Sequence, residues 1–339
     1  MRLVTLNRRG YAGSTPLSEE ETAPLDPSIT FGLDETTSAT TPSNRVISTH
    51  YATFLQQRGA ELARFLAWFI DNEMIPPRSD DADEASGGIS LLGWSLGNVT
   101  TLSMLAFAST LDPGLIKKLE LYLRKVIIFG ESCDKEYEIV LILYSLSDPP
   151  YHALGYPTPA NSYNPLFDFQ ISTEERHSKF GAWITSYFVH SPSARDPATP
   201  VGDLMKGILA QRETHPSKKP TTINITHDDT GISTGIEVIS SGHGDLFSLE
   251  EYARPVHKTV CIRALFGDLN ETSGPPVLPK VNISYIWCTE SVWETVFAMR
   301  CLQQDIALPP DYHYSQRSVK FIPLEGGNHF VSNDMLMVN

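Results

Sequence analysis

The sequence predicts an α/β fold: a mostly parallel sheet with crossover helices and an inserted, mainly helical cap. Compact apolar segments alternate with segments of helical periodicity before residue 130 and again after residue 280. That alternation is typical of parallel strands joined by helices. Residues 149–280 lose it and contain many Pro, Gly and His residues, which indicates an insertion into the core.

Composition and charge exclude several classes of protein. The chain has 339 residues, of which 41% are hydrophobic and 19% charged, enough for a sizeable core. Its net charge of −14 argues against nucleic acid or anionic membranes as partners. The longest apolar stretches are far shorter than the roughly 20 residues that span a bilayer, and the N-terminus lacks a signal-peptide layout. We therefore predict a cytoplasmic protein with no membrane span, and the sequence leaves the oligomeric state open.

The sequence contains no signature of a metal or an organic cofactor. The four cysteines are widely spaced and form no CxxC pair, so neither a disulfide framework nor a zinc site is expected. No G-x-G-x-x-G run follows a strand, and there is no Walker lysine. We expect a protein that acts without a cofactor or metal.

The first part of the predicted core comprises residues 1–148. Its long helix ends ahead of Pro76 and Pro77, because proline cannot continue a helix. A second helix follows the strand at 89–92 and runs from about residue 97 through Met104 and Phe107. In chain order the predicted elements are a short buried strand at 3–6, a turn-rich run at 8–16, a helix at 46–72, a strand at 89–92 and a strand at 125–129.

The rest of the chain divides into the predicted cap, residues 149–280, and a second part of the core, residues 281–339. The cap has helix candidates near 174–188, 201–212 and 249–266. The core then resumes with a strand at 281–287, a helix at 293–305 and a last strand at 319–324.

The run Gly-Trp-Ser-Leu-Gly at 93–97 contains the candidate catalytic serine. It fits the pattern G-x-S-x-G and lies between an apolar strand and an amphipathic helix, the context that makes the pattern specific. A sharp strand-to-helix turn needs small flanking residues, and it holds the serine oxygen above the sheet. The pattern therefore predicts Ser95 as a nucleophile and the backbone N–H of Leu96, at the helix N-terminus, as an oxyanion donor.

Ser95 needs a general base, because a serine hydroxyl is a weak nucleophile at neutral pH. His329 lies in the run Gly-Gly-Asn-His-Phe at 326–330, directly after the last predicted strand. A histidine in that loop can reach across the sheet edge, and the chain order of serine, acid and histidine suits this type of triad. We therefore predict His329 as the base.

Together these segments resemble an α/β-hydrolase. The resemblance rests on the Arg-Arg-Gly-Tyr run within residues 6–16, the elbow at 93–97, the strand after the elbow helix and the Gly-Gly-Asn-His loop. It covers the core at both ends of the chain, and the cap matches only in being present. The resemblance implies an α/β-hydrolase core with helices on both faces of the sheet, and a small-molecule acyl substrate.

The resemblance leaves two positions for the acid of the triad. In one family arrangement the acid follows the strand before the last, where the usual spacing falls on Ser291 and Glu290 lies one residue away. In a second arrangement the acid follows the strand after the elbow helix, in a run that Asp-Pro-Pro at 148–150 resembles. Members of that second type often carry serine at the first position, as here. We therefore favour Asp148, with Glu290 as the alternative.

Two departures from the family pattern bear on activity. Family members carry about three strands ahead of the Arg-Arg-Gly-Tyr run, roughly 40–60 residues, and the loop after the third supplies a second oxyanion N–H. We expect those strands to be missing, and loss of one oxyanion donor typically costs on the order of 10²–10³ in rate. A second apolar run also separates the strand at 125–129 from Asp148. We hypothesise an incomplete gene model with retained introns at 130–147 and 331–339.

The sequence as a whole predicts a serine hydrolase that cleaves a carboxylic ester or related acyl bond through Ser95, His329 and Asp148. The alternative is a catalytically impaired α/β-hydrolase fragment or pseudoenzyme, whose activity the truncation compromises. The missing oxyanion loop favours the alternative, and the intact serine and histidine oppose it.

Overall fold

The computed structural model describes most of the predicted core and parts of the predicted cap. Asp148 and the segments 130–147 and 331–339 lie outside the described residues. The described residues are 4–11, 13–25, 42–79, 86–128, 149–208, 214–221, 247–267, 277–307 and 317–330.

Most of the regular structure in these residues is helical. The α-helices are α1 (Glu19–Thr22), α2 (Pro42–Asn72), α3 (Gly97–Ala106), α4 (Pro113–Tyr122), α5 (Thr173–Ile184), α6 (Val201–Ile208), α7 (Arg254–Phe266) and α8 (Trp293–Ala307). Three of them begin after side chains that cap a helix N-terminus. Ser18 accepts a hydrogen bond from the N–H of Glu21 in α1. Asp112 accepts hydrogen bonds from two backbone N–H groups of α4, and Ser172 accepts one from the N–H of Glu175 in α5.

Four short strands form one parallel sheet. They are β1 (Ile89–Gly93), β2 (Leu123–Ile128), β3 (Asn282–Cys288) and β4 (Val319–Leu324), and they lie side by side in chain order. Val126 of β2 pairs with Leu91 of β1 and with Ile283 of β3. Ile283 in turn pairs with Val319 of β4. Because the strands are parallel, their carboxyl ends meet at one edge of the sheet, with β1 and β4 outermost.

The two faces of the sheet have different neighbours. Along β3, Ile283, Tyr285 and Trp287 belong to the main core, which also contains apolar residues of every helix from α2 to α8. The intervening Ile286 and Cys288 belong to a second cluster, as expected for a strand with a period of two. No helical residue of the described chain joins that second cluster, so the described helices pack against one face. Its other members are Leu92, Ile322 and Leu324.

Helix α3 is enclosed by its neighbours. Eight of its ten residues are buried, and both α2 and α7 pack against it. Helix α2 approaches through Gly59, where a Cβ atom would lie only 2.7 Å from the backbone nitrogen of Met104. Side-chain carbons do not come that close to backbone atoms, so this glycine sets the distance between the two helices.

A buried chain of hydrogen bonds joins α2 and α7. His257 Nδ1 lies 2.7 Å from the carbonyl oxygen of His152, which can only accept, so Nδ1 carries the proton. In the neutral ring, Nε2 then accepts from the hydroxyl of Tyr51 at 2.7 Å. The Tyr51 oxygen lies 2.8 Å from Ser248 Oγ and accepts from it. The direction of every bond in this chain is therefore fixed by the one carbonyl at its end.

The predicted fold class is wrong. An α/β-hydrolase core needs an extended parallel sheet with helices on both faces, whereas the described residues are rich in helix and contain only a small sheet of short strands. Their helices pack against one face of that sheet. Val4 and Leu6, predicted in a buried strand, lie in no strand and are 43% and 44% exposed. The division of the chain at residues 148 and 280 stays a prediction.

Candidate active site

Ser95 lies in the sharp turn between β1 and α3. Its φ angle is +49°, in the left-handed region that residues with a side chain rarely enter. The N–H groups of Gly97 and Asn98 donate to the carbonyl oxygens of Trp94 and Ser95, at 2.6 and 3.2 Å. The buried side chain of Asn98 also donates to the Ser95 carbonyl, at 2.9 Å. These bonds stabilise the turn with Ser95 in its left-handed backbone conformation.

The two glycines of the elbow motif are not equivalent. A Cβ atom at Gly93 would lie 2.6 Å from both Asn98 Oδ1 and Thr101 Oγ1, whereas a Cβ atom at Gly97 would meet nothing within 4 Å. The expectation that both flanking positions must be small therefore holds only for Gly93.

His329 lies beside the nucleophile. Its Nε2 atom is 3.3 Å from Ser95 Oγ, the distance expected of a nucleophile and its base before substrate binds. His329 is 3% exposed, and its ring lies next to the rings of Trp94 and Phe330, with centroid distances of 5.8 and 5.5 Å. Burial lowers the pKa of His329 to about 3, because an apolar environment disfavours the imidazolium. The ring is therefore neutral at physiological pH, as a general base must be.

The pair forms across the whole width of the sheet. Ser95 follows β1 and His329 follows β4, and three interstrand spacings put these strands about 14 Å apart. The five residues after Leu324 span at most about 17 Å when extended. The loop must therefore cross the ends of the inner strands, and Glu290, just beyond β3, donates its N–H to the Gly327 carbonyl at 2.9 Å.

Glu290, the alternative acid, is engaged elsewhere. Its Oε2 atom lies 2.8 Å from Lys218 Nζ, and the same ammonium group donates to the Gly326 carbonyl at 3.1 Å. The Glu290 carboxylate therefore pairs with Lys218, and Lys218 in turn binds the loop that carries His329. The favoured acid, Asp148, lies outside the described residues.

Leu96 occupies the N-cap position of α3. The hydrogen bonds of the turn use the N–H groups of Gly97, Asn98 and Val99, and the N–H of Leu96 takes no part in them. Because a helix N-terminus favours negative charge, this N–H suits an oxyanion that forms beside Ser95.

Sequence reasoning missed the groups that hold the site together. Asn98 steadies the Ser95 carbonyl, Thr289 Oγ1 accepts from the N–H of Gly326 at 2.9 Å, and Lys218 joins the histidine loop to Glu290. Asn328 also binds neighbouring segments through its side chain. Its position next to His329 in the Gly-Gly-Asn-His motif is a sequence signal that could have identified it. Thr289 and Lys218 carry no sequence signal, since their roles depend on which segments the fold brings together.

Comparisons of the chain with protein-family models, with curated proteins and with solved structures find no match. No described helix combines the length and apolar character needed to cross a bilayer. Among the residues that the structure describes, no three His, Cys, Asp or Glu side chains are grouped so that they could hold a metal ion.

Proposed function

We propose that the protein is a serine hydrolase that cleaves a carboxylic ester or a related acyl bond. The observation that carries the proposal is the 3.3 Å separation of Ser95 Oγ and His329 Nε2. A strained strand-to-helix turn presents the serine, and a neutral imidazole lies beside it. Few other arrangements activate a serine hydroxyl at neutral pH.

In the proposed reaction, Ser95 Oγ attacks the acyl carbonyl carbon while His329 Nε2 takes the hydroxyl proton. The N–H of Leu96 stabilises the negative charge that develops on the carbonyl oxygen. His329 then gives its proton to the leaving alcohol, and the acyl group stays on Ser95. A water molecule attacks the acyl-enzyme with His329 again as base, which releases the acid and restores the serine.

We assign to Asp148 the role of the triad acid, which orients the His329 imidazole and stabilises its charged form. A buried imidazole with a lowered pKa is a weak base, so an ionised carboxylate is needed to stabilise the imidazolium as it forms. Glu290 is the weaker candidate, because its carboxylate is paired with Lys218.

A fluorophosphonate probe, which reacts with activated serines, tests the proposal. We expect the probe to label the full chain and not Ser95→Ala. Ser103→Ala is the matched control: Ser103 is a buried serine of α3 whose hydroxyl donates to the Val99 carbonyl at 2.7 Å, so its loss should leave labelling intact. A folded chain that the probe does not label would contradict the proposal and favour a protein without catalytic activity.

A further inference from the structure

The loop that carries His329 is held by a side chain that the proposed reaction does not use. Asn328 is fully buried, and its Nδ2 atom donates to the Thr185 carbonyl and to Thr221 Oγ1, both at 2.7 Å. Its Oδ1 atom accepts from the N–H of Phe330 at 2.9 Å. An amide has two N–H donors, so both donors and the oxygen are engaged.

The bond to Phe330 closes a turn around the histidine. It runs from the side chain of residue 328 to the backbone of residue 330, the geometry of an Asx turn, with His329 at its centre. The backbone of His329 cannot rotate freely without breaking this bond. The turn also fixes the Phe330 ring, which packs edge-on against Trp94 at a centroid distance of 5.2 Å.

The other two bonds join this turn to two buried threonines outside the sheet. Thr185 follows the last residue of α5, and its carbonyl oxygen also accepts from the N–H of Thr221 at 2.9 Å. Both threonines are buried, at 3% and 0% exposure. Asn328 therefore connects the histidine loop to two segments from the region between residues 149 and 280.

We propose that Asn328 is the positioning residue for His329: its buried amide holds the imidazole within reach of Ser95. The inference rests on the proposed function, because it explains how the base is kept in place. Asn328 has no surface to offer a substrate, so its role runs through the histidine. Loss of the amide lets the loop relax, and a displacement of about 1 Å in a reacting group costs on the order of 10²-fold in rate.

Kinetics of Asn328→Ala provide the first test. We expect fluorophosphonate labelling of Ser95, and kcat for p-nitrophenyl butyrate, to fall by about 30- to 100-fold. KM should change by less than about threefold, since the substituted side chain does not contact substrate. Thr221→Val removes one of the three bonds and keeps the shape of the anchor, so it should cause an intermediate loss. Labelling of Asn328→Ala at the wild-type rate would overturn the proposal.

Asn164→Ala is the matched control. Asn164 makes the same type of turn, with Oδ1 accepting from the N–H of Leu166 and Nδ2 donating to Glu294, both at 2.9 Å. We expect this substitution to lower the unfolding temperature and leave the labelling rate unchanged. Equal slowing in Asn164→Ala and Asn328→Ala would mean that general destabilisation explains the effect, and the proposal would fail.

A second readout does not depend on activity. In protein labelled with ¹⁵N-histidine, the ring nitrogen signals of His329, assigned through His329→Gln, report its tautomer and its order. We expect one sharp neutral tautomer in the wild type, and shifted or broadened signals in Asn328→Ala. If the probe does not label the wild type, the proposed function fails and these signals still decide the inference. Unchanged His329 signals in Asn328→Ala would refute it.

Discussion

Ser95 adopts a backbone conformation that costs of order 1–3 kcal/mol for a residue with a side chain. The surrounding contacts must hold it there. The Asn98 amide binds the Ser95 carbonyl, and the backbone of Gly93 leaves room for that amide because it lacks a Cβ atom. The strained serine, the asparagine and the first glycine of the motif therefore form one unit.

Substitution of the two motif glycines tests this unit. Gly93→Ala places a methyl group 2.6 Å from Asn98 Oδ1 and Thr101 Oγ1, so we expect a loss of stability of about 1–3 kcal/mol and probe labelling slowed by about 100-fold. Gly97→Ala meets open space and should be labelled at nearly the wild-type rate. Labelling rates and urea unfolding curves measure both effects, and similar behaviour of the two variants would contradict the assignment.

Substitution of the two candidate carboxylates tests which of them is the acid of the triad. Asp148→Asn should slow labelling by about 10⁴-fold, because the imidazolium would lose its carboxylate. Glu290→Gln should slow it by less than about fivefold, since that carboxylate sits in a partly exposed ion pair worth about 0–1 kcal/mol. A large loss in Glu290→Gln with a small loss in Asp148→Asn would reverse the assignment.

The position of helix α3 is set by the two helices that pack against it. Helix α2 packs against it at Gly59, which touches the backbone of α3 at Ser103 and Met104, and α7 packs against it as well. Since α3 begins two residues after Ser95, a shift of this helix moves the nucleophile relative to the histidine loop.

Gly59→Ala should therefore impair both stability and reactivity. The added methyl group would lie 2.7 Å from Met104 N, which cannot move without moving α3, so we expect a loss of about 1–3 kcal/mol. Gly202→Ala, in α6, meets nothing within 4 Å and should be neutral or stabilising by up to about 1 kcal/mol. Thermal unfolding of the two variants distinguishes these outcomes; a Gly59→Ala protein as stable as Gly202→Ala would show that the contact is not rigid.

The sequence predicted the positions of the strands well but did not predict how the elements pack together. The predicted strands at 89–92, 125–129, 281–287 and 319–324 match β1 to β4 closely, because short apolar runs bounded by turn residues favour strands. The α/β-hydrolase core with helices on both faces of the sheet came from the resemblance, and that prediction was wrong. The loop contacts of Lys218 and Thr289 join segments distant in sequence, and no local pattern encodes them.

For the molecule as a whole, buried histidines make stability depend on pH. Burial lowers the pKa of His152 to about 3 and of His190 to about 4, as it does for His329. Between the ordinary pKa of about 6.5 and the lowered pKa, which is about 4 for His190 and about 3 for His152 and His329, the unfolded chain binds protons that the folded chain does not. This contribution to stability is complete above pH 6.5 and is lost progressively as the pH falls through that window.

His190→Gln should reduce the loss of stability between pH 7 and pH 5 by about 2 kcal/mol. Glutamine cannot take up a proton, and its amide keeps a donor for the Ser291 carbonyl, which lies 2.6 Å from His190 Nε2. Urea unfolding at the two pH values measures the change. His50→Gln, at an exposed position, should follow the wild type; a His190→Gln protein that does so too would contradict the prediction.

Ser95 and His329 are separated by 234 residues of sequence and follow the two outermost strands of the sheet. Contacts between such distant segments form late, because the entropy of closing so long a loop must first be offset by the strands between them. During refolding from urea, helical circular dichroism should return before probe reactivity does. The return of probe labelling at Ser95 would then report the time at which β4 joins the sheet.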